Sequence, residues 1–263
     1  MEDYVHKQTK DKPLYPDLLW SRPEQTSLAG KLLIIGGNVH GFAAPAEAYQ
    51  AATKAGIGTI RILLPDSLQK TVGKILLQGE YAPSTPSGSF GRNALAMLLE
   101  MSNWADGVLL AGDFARNSET AILLEQFITK YQGQLTLTKD TADYFLSMPN
   151  IVLDRQDTTL VIAFAQLQKL AMHAHFDKAF TFEMDYLRLV SYLHEFSEKT
   201  KAALIVKHLD TIFVAYNGQV STTKVDSDIH AWRVRTAAQA ATWQIQNPKK
   251  VFAALTMSVL EGE

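Results

Sequence analysis

Apolar residues in this chain fall into two kinds of stretch: short unbroken runs bounded by glycine or polar turns, and longer stretches whose apolar positions recur at helical spacing. The first kind reads as strands buried on both faces, the second as helices that lay one apolar stripe on a sheet. Lys31 to Ile35 is such a run and closes on Gly36-Gly37. Ala43 to Ala55 follows as an alanine-rich helix, with Pro45 tolerated in its first turn and Gly56 as its stop, so it packs very close to its neighbours. Thr59 to Leu64 is a second strand and Asp66 to Leu77 an amphipathic helix. The alternation continues through a helix at Asn93 to Trp104, a strand at Asp106 to Ala111, a helix at Ser118 to Tyr131, a strand at Gln134 to Thr138 and a helix starting near Asp140. Thr158 to Ala163, a helix through Ala174, a longer helix from Glu183 to Lys199 and the strand Ala203 to Lys207 extend it. Strand and helix in alternation imply a parallel sheet with right-handed crossovers.

Three stretches depart from this rhythm. Gly79 to Gly91 is rich in Pro, Ser and Gly and reads as an exposed loop. Thr211 to Tyr216 and Gln219 to Val225 are alternating strands around Asn217-Gly218, a strong hairpin signal that adds an antiparallel edge. Residues 1–24 are polar, carry Pro13, Pro16 and Pro23, and read as an N-terminal leader. Ala231 to Gln246 and Pro248 to Leu260 close the chain as two helices, so residues 1–263 read as one α/β domain without repeats.

Composition narrows the function classes. Lys and Arg total 25 against 27 Asp and Glu, a net charge of −2, which gives no electrostatic footprint for nucleic acid or an anionic membrane. The absence of cysteine excludes a disulfide framework, a thiolate zinc site and a cysteine nucleophile. The polar opening does not read as a signal peptide, and no apolar run approaches the ~20 residues of a membrane span. The expected setting is the cytoplasm.

Candidate chemistry gathers where strands end. Gly36-Gly-Asn-Val-His-Gly41 joins a strand to a helix start whose N–H groups suit an anion or a ribose phosphate, or simply form a tight turn. Gly112 and Asp113 stand at the carboxyl end of a strand, the edge where open α/β sheets bind ligands. Asp113 and Asp140 suit a ribose contact or a base, and equally a helix N-cap. His173 and His175, two residues apart in a helical setting, point apart and read as ordinary imidazoles. Lys207 and Thr211 offer a charge and a hydroxyl to a phosphate at the start of the hairpin.

The residues of the first strand, loop and helix resemble a known family. Leu32-Leu-Ile-Ile-Gly-Gly-Asn-Val-His-Gly-Phe-Ala-Ala-Pro-Ala46, followed by Ala51-Ala-Thr-Lys-Ala-Gly-Ile-Gly58, is similar to the start of the ADP/ATP-dependent NAD(P)H-hydrate dehydratases of the ribokinase-like superfamily. Their pattern there is a strand, Gly-Ser, a short Gly-Tyr loop, Gly-Ala-Pro and an alanine-rich helix ending Ala-Gly-x-Gly. Ala105-Asp106 opens the strand that leads to the family's Gly-Pro-Gly-Leu-Gly loop, Leu135 to Asp140 occupies its Asp-Ala-Asp strand, and Lys207 to Thr211 resembles its Lys-Gly-x-x-Thr nucleotide segment before the same hairpin.

The resemblance implies a three-layer α/β/α ribokinase-like sandwich and a carbon–oxygen lyase using ADP or ATP, with Mg, on NAD(P)H hydrate. It implies a homo-oligomer whose partner is a small-molecule nucleotide. Substrate contacts would fall on His40, Gly41, Ala44, Gly112, Asp113 and Asp140, and nucleotide contacts on Lys207, Asp210 and Thr211. Three family motifs are replaced. Gly-Pro-Gly-Leu-Gly becomes Ala111-Gly-Asp-Phe-Ala115, Thr-Pro-His becomes Ala163-Phe-Ala-Gln166, and Gly-Thr-Gly-Asp becomes Ile229-His-Ala-Trp232. The lost glycines would have let backbone N–H groups surround a transferring phosphoryl group, and the lost Asp would have taken a proton. His230 is the surrogate base that remains. Two readings stand: a diverged dehydratase-like lyase or small-molecule kinase relative, and an inactive ribokinase-fold protein serving as nucleotide sensor or partner subunit.

Overall fold

A computed structural model describes residues 3–72, 79–225 and 232–261. Its strands are β1 (Val5–Gln8), β2 (Lys31–Gly36), β3 (Thr59–Pro65), β4 (Gly79–Ala82), β5 (Gly107–Gly112), β6 (Gln134–Thr138), β7 (Thr158–Ala163), β8 (Ala203–His208), β9 (Thr211–Tyr216) and β10 (Gln219–Lys224). Its helices are α1 (Asp17–Trp20), α2 (Ala43–Lys54), α3 (Gln69–Val72), α4 (Leu95–Trp104), α5 (Ser118–Lys130), α6 (Asp140–Asp143), α7 (Asn150–Leu153), α8 (Phe164–His173), α9 (Tyr186–Glu198), α10 (Trp232–Gln246) and α11 (Val251–Ser258).

All ten strands join one sheet in the order β1-β10-β9-β8-β7-β6-β5-β2-β3-β4. Pairing is parallel everywhere except on the two sides of β9, as the Asn217-Gly218 turn requires. Successive strand residues point to opposite faces, so every central strand feeds two cores. Leu33, Ile35, Leu110, Leu137 and Val206 pack under α4, α5, α8 and α9 with Leu98, Phe127, Leu167 and Phe196. Leu32, Ile34, Leu109 and Ile205 face α2, α10 and α11, where Ala48, Ala52, Ala237, Ala241 and Leu255 are fully buried. The small residues of α2 and α10 allow those two helices to lie close together over the sheet. The result is the expected three-layer α/β/α arrangement.

The leader carries more structure than its composition suggests. Val5 to Gln8 forms β1 and pairs in parallel with β10, from Val5 opposite Val220 to Gln8 opposite Thr223. Gln8 is 1% exposed and donates to the Thr223 hydroxyl at 2.8 Å and the Thr256 carbonyl at 2.6 Å. Leu18, 3% exposed, packs on Trp243, Ala254 and Met257. Polar composition concealed the strand because its buried contacts are hydrogen bonds to threonines. The expected loop at Gly79 likewise opens with β4, paired in parallel with β3. The expected helix from Asp66 is a 3-10 turn, Asp66–Leu68, followed by α3; residues 73–78 lie outside the described residues. No described helix is long and apolar enough to cross a membrane.

Candidate functional site

The site is set by an unusually close approach of two strand ends. Between β2 and β5 the register shifts at Ile35/Gly36, bringing Gly36 opposite Gly112. A Cβ on Gly36 would strike the Gly112 carbonyl, and the Gly37 N–H donates to that carbonyl at 3.0 Å. Gly112 has φ +107°, and a Cβ there would lie 2.8 Å from Oδ1 of Asp140. Only glycine fits both positions.

Near Gly112 three residues other than glycine also have positive φ. Asp113 has φ 61°, Ala115 59°, and Lys139, at the end of β6, 53°. Positive φ costs a residue with a Cβ about 1 to 3 kcal/mol, and Lys139, with ψ −135°, lies outside even the left-handed helical well, so the surrounding bonds must hold these three in place. Those bonds are specific. The Asp140 carboxylate accepts the N–H of Asp113 at 2.7 Å and of Phe114 at 2.8 Å. Burial raises the Asp140 carboxyl above its usual value, opposed by those two N–H bonds and by the Lys139 charge. The Asn38 amide donates to the Asp113 carbonyl at 2.6 Å, while its oxygen accepts the His40 N–H at 2.8 Å.

The Asp113 carboxylate is shared by two partners. Oδ2 accepts the Ala44 N–H, in the first turn of α2, at 2.8 Å, and Oδ1 meets Nζ of Lys139 at 2.6 Å. Gln166 ties the next layer together. Its amide nitrogen donates to the Lys139 carbonyl at 2.8 Å and to Oδ1 of Asp143 at 2.6 Å; its oxygen accepts from Ala163 N–H at 3.0 Å and from Arg233 at 3.3 Å. Beside this network lies a cleft of about 460 Å³, lined by Arg116, Asn117, Asp140, Asp143, Tyr144 and Lys169 among others.

Ala44, Gly112, Asp113 and Asp140 thus come together from three separate segments. Of the two cap readings, Asp113 does accept a helix N–H, though of α2 and not of the helix after it, while Asp140 holds the β5 loop and not a helix end; α5 is capped by Asn117. His40 is exposed and enters only through its N–H; Gly41 pairs with Asn38 through the backbone. Lys207, Asp210 and Thr211 lie on the far side of β7. The Thr211 hydroxyl donates to Asp210 at 3.1 Å, and that bond together with Lys224, 3.6 Å away, lowers the Asp210 pKa. His230 lies outside the described residues. His173 bonds the Lys169 carbonyl at 2.9 Å, and among the described residues no group of three or more His, Asp or Glu is placed to hold a metal ion.

Lys139, Asp143 and Arg233 are members that the sequence did not single out, and Asn38 and Gln166 were named only as parts of longer motifs. Asn38 and Lys139 had a signal, since each is a polar residue at the carboxyl end of a buried strand. Gln166 had one in the replaced family motif, Ala163 to Gln166; Arg233 had none, because its helix position became a site position only through packing.

No protein-family model matches the chain, and no curated protein matches it. Solved structures do. A ribokinase-like superfamily protein from Enterococcus faecalis superposes with a TM-score of 0.74 at 14% identity, over 99% of this chain and 87% of that one. The Bacillus subtilis ADP/ATP-dependent NAD(P)H-hydrate dehydratase, crystallised with ATP and Mg, gives 0.64 at 9% identity over 94% and 86%. The Staphylococcus aureus pyridoxal kinase, in complex with AMP-PCP and pyridoxal, gives 0.53 at 11% over 87% and 84%. At these identities the likeness shows the fold, which is ribokinase-like.

Proposed function

We propose that this chain binds a nucleotide at the carboxyl edge of its sheet and is a diverged relative of the NAD(P)H-hydrate dehydratases. The observation that carries the reading is the convergence of Ala44, Gly112, Asp113 and Asp140 beside the 460 Å³ cleft, since these are positions where the sequence resemblance places the substrate. Asp140 and Asn38 hold the loop backbone, and Arg116 and Lys169, which line the cleft, supply cations to an anionic ligand. Mg enters this reading as the ion that ATP brings with it.

A second reading, binding without turnover, is favoured by Trp232. The family pattern puts a proton-accepting Asp there; here a half-buried indole packs on the α2/α10 core and offers no base. Two measurements separate the readings. ADP, ATP, AMP, NADH and NADPH are tested by thermal shift, where a ligand at 100 times its Kd adds ~2.7 kcal/mol. A shift with at least one of them is expected, and none with any would overturn nucleotide binding. Hydrated NADH is then mixed with ATP: recovery of NADH absorbance supports the lyase, and silence leaves binding alone.

A further inference from the structure

Where β8 ends beside the start of α8, an imidazole is buried without a hydrogen bond. His208 is 6% exposed, and neither of its ring nitrogens has a partner among the described residues. Its neighbours are rings: Phe164, with centroids 4.5 Å apart, and Phe182, 5.0 Å away and nearly perpendicular. Phe164 is buried, whereas Phe182 is 62% exposed and covers the cluster from the solvent side. Phe182 rides on a short arch. Thr181, Phe182 and Glu183 are exposed, the buried Phe180 and Met184 anchor the two ends, and the Met184 N–H donates to the Thr181 carbonyl at 3.2 Å. The ring of Phe182 can therefore lift while both anchors stay in the core.

We infer that His208 and Phe182 form an acid-operated latch: the neutral imidazole keeps Phe182 seated edge-on against Phe164, and protonation expels the imidazole, lifts the arch and uncovers the apolar ends of α8 and β8. A neutral imidazole tolerates this dry seat better than the cation, which brings a charge and two N–H donors to a place without an acceptor. The charges on the surrounding elements are engaged elsewhere. On the hairpin Asp210 pairs with Lys224, and Lys207 points to the opposite face of the sheet. On the α8–α9 loop Asp177 and Lys178 pair with Lys199 and Glu195, Asp185 caps α9, and Glu183 is exposed. Lys169 of α8 lines the cleft. None of them tunes the imidazole, since loss of water is the cause that holds its pKa below the ordinary value. Opening returns the charge to water and gives up chiefly the contacts of one surface ring.

The latch is independent of what the cleft beside Asp140 binds. Hydrogen exchange of the full chain, corrected for its intrinsic pH dependence, reads the opening. From pH 7.5 to 5.5 exchange in residues 179–186 and 206–213 is expected to rise about fivefold, the order set by an imidazole of ordinary pKa near 6.5 when open and a lower one when closed, while β5 and β6 keep their rates. In His208→Phe the rise is expected to vanish. A rise below about twofold in the native chain, an equal rise in His208→Phe, or an equal rise across β5 and β6 overturns the inference. Phe182→Ala removes an exposed ring and keeps the latch testable if His208→Phe fails to fold. In that variant the His208 titration midpoint, followed by NMR, is expected to move up toward the ordinary imidazole value, and an unmoved midpoint overturns the latch.

Discussion

At the ends of β5 and β6 the polar groups turn toward one another; at the β8–β9 turn, across β7, they turn outward. Asp140, Asn38 and Gln166 spend their hydrogen bonds on backbone groups of strained loops, which fixes those loops. Asp210 and Lys224 pair on the surface, where such contacts add little, and the buried Thr211 hydroxyl reaches out to Asp210. The largest inward polar side chain of the second region is His208, 6% exposed, with ring centroids 4.5 Å from Phe164 and 5.0 Å from Phe182. The difference separates a preorganised polar edge, able to meet a charged ligand without rearranging its backbone, from a hydrophobic plug with a polar rim.

Mutations should divide along the same line. Asp140→Ala leaves two backbone N–H groups without their acceptor and is expected to cost about 3 kcal/mol, read as a shift of the urea midpoint. A loss below about 1 kcal/mol would mean that the β5 loop does not depend on it. Gln166→Leu removes four bonds at once and should cost about 2 kcal/mol, with a larger loss in nucleotide affinity than in stability if the network positions the ligand.

His208 predicts a pH effect. Burial among aromatic rings lowers its pKa, so the unfolded chain binds the proton more readily. Its contribution to stability is therefore complete above the unfolded value of about 6.5 and declines as pH falls from there to the lowered folded value, by at most ~1.4 kcal/mol per pH unit. His208→Phe should flatten this slope in denaturation series from pH 7.5 to 5. An unchanged slope would place the acid sensitivity elsewhere. The smallest effect is expected at Thr211→Val: if the β5/β6 edge dominates binding, ATP affinity stays within about twofold, measured by calorimetry. A tenfold loss would instead move the nucleotide toward the β8–β9 turn and redraw the comparison.

The strand–helix alternation was legible because each element carries its own period, and Asn217-Gly218 announced its hairpin through a local turn preference. The pairing of β1 with β10 was not, since the signal lies in Thr223 and Thr256, more than two hundred residues from Gln8. Asp113 and Asp140 were visible as residues at strand ends. That each serves a different segment from its own was invisible, because capping of the local helix and capping of a distant one look alike along the chain.

By itself the sequence determined which segments are strands, which are helices and which strand ends carry polar residues, because hydrophobic period and turn chemistry act over a few neighbours. Only the tertiary structure decided that Ala44, Asp113 and Lys139 share one carboxylate, that Gln166 and Arg233 join them, and that His208 turns away. Those facts depend on the order of strands in the sheet and on a one-residue shift between β2 and β5, neither of which a local pattern encodes.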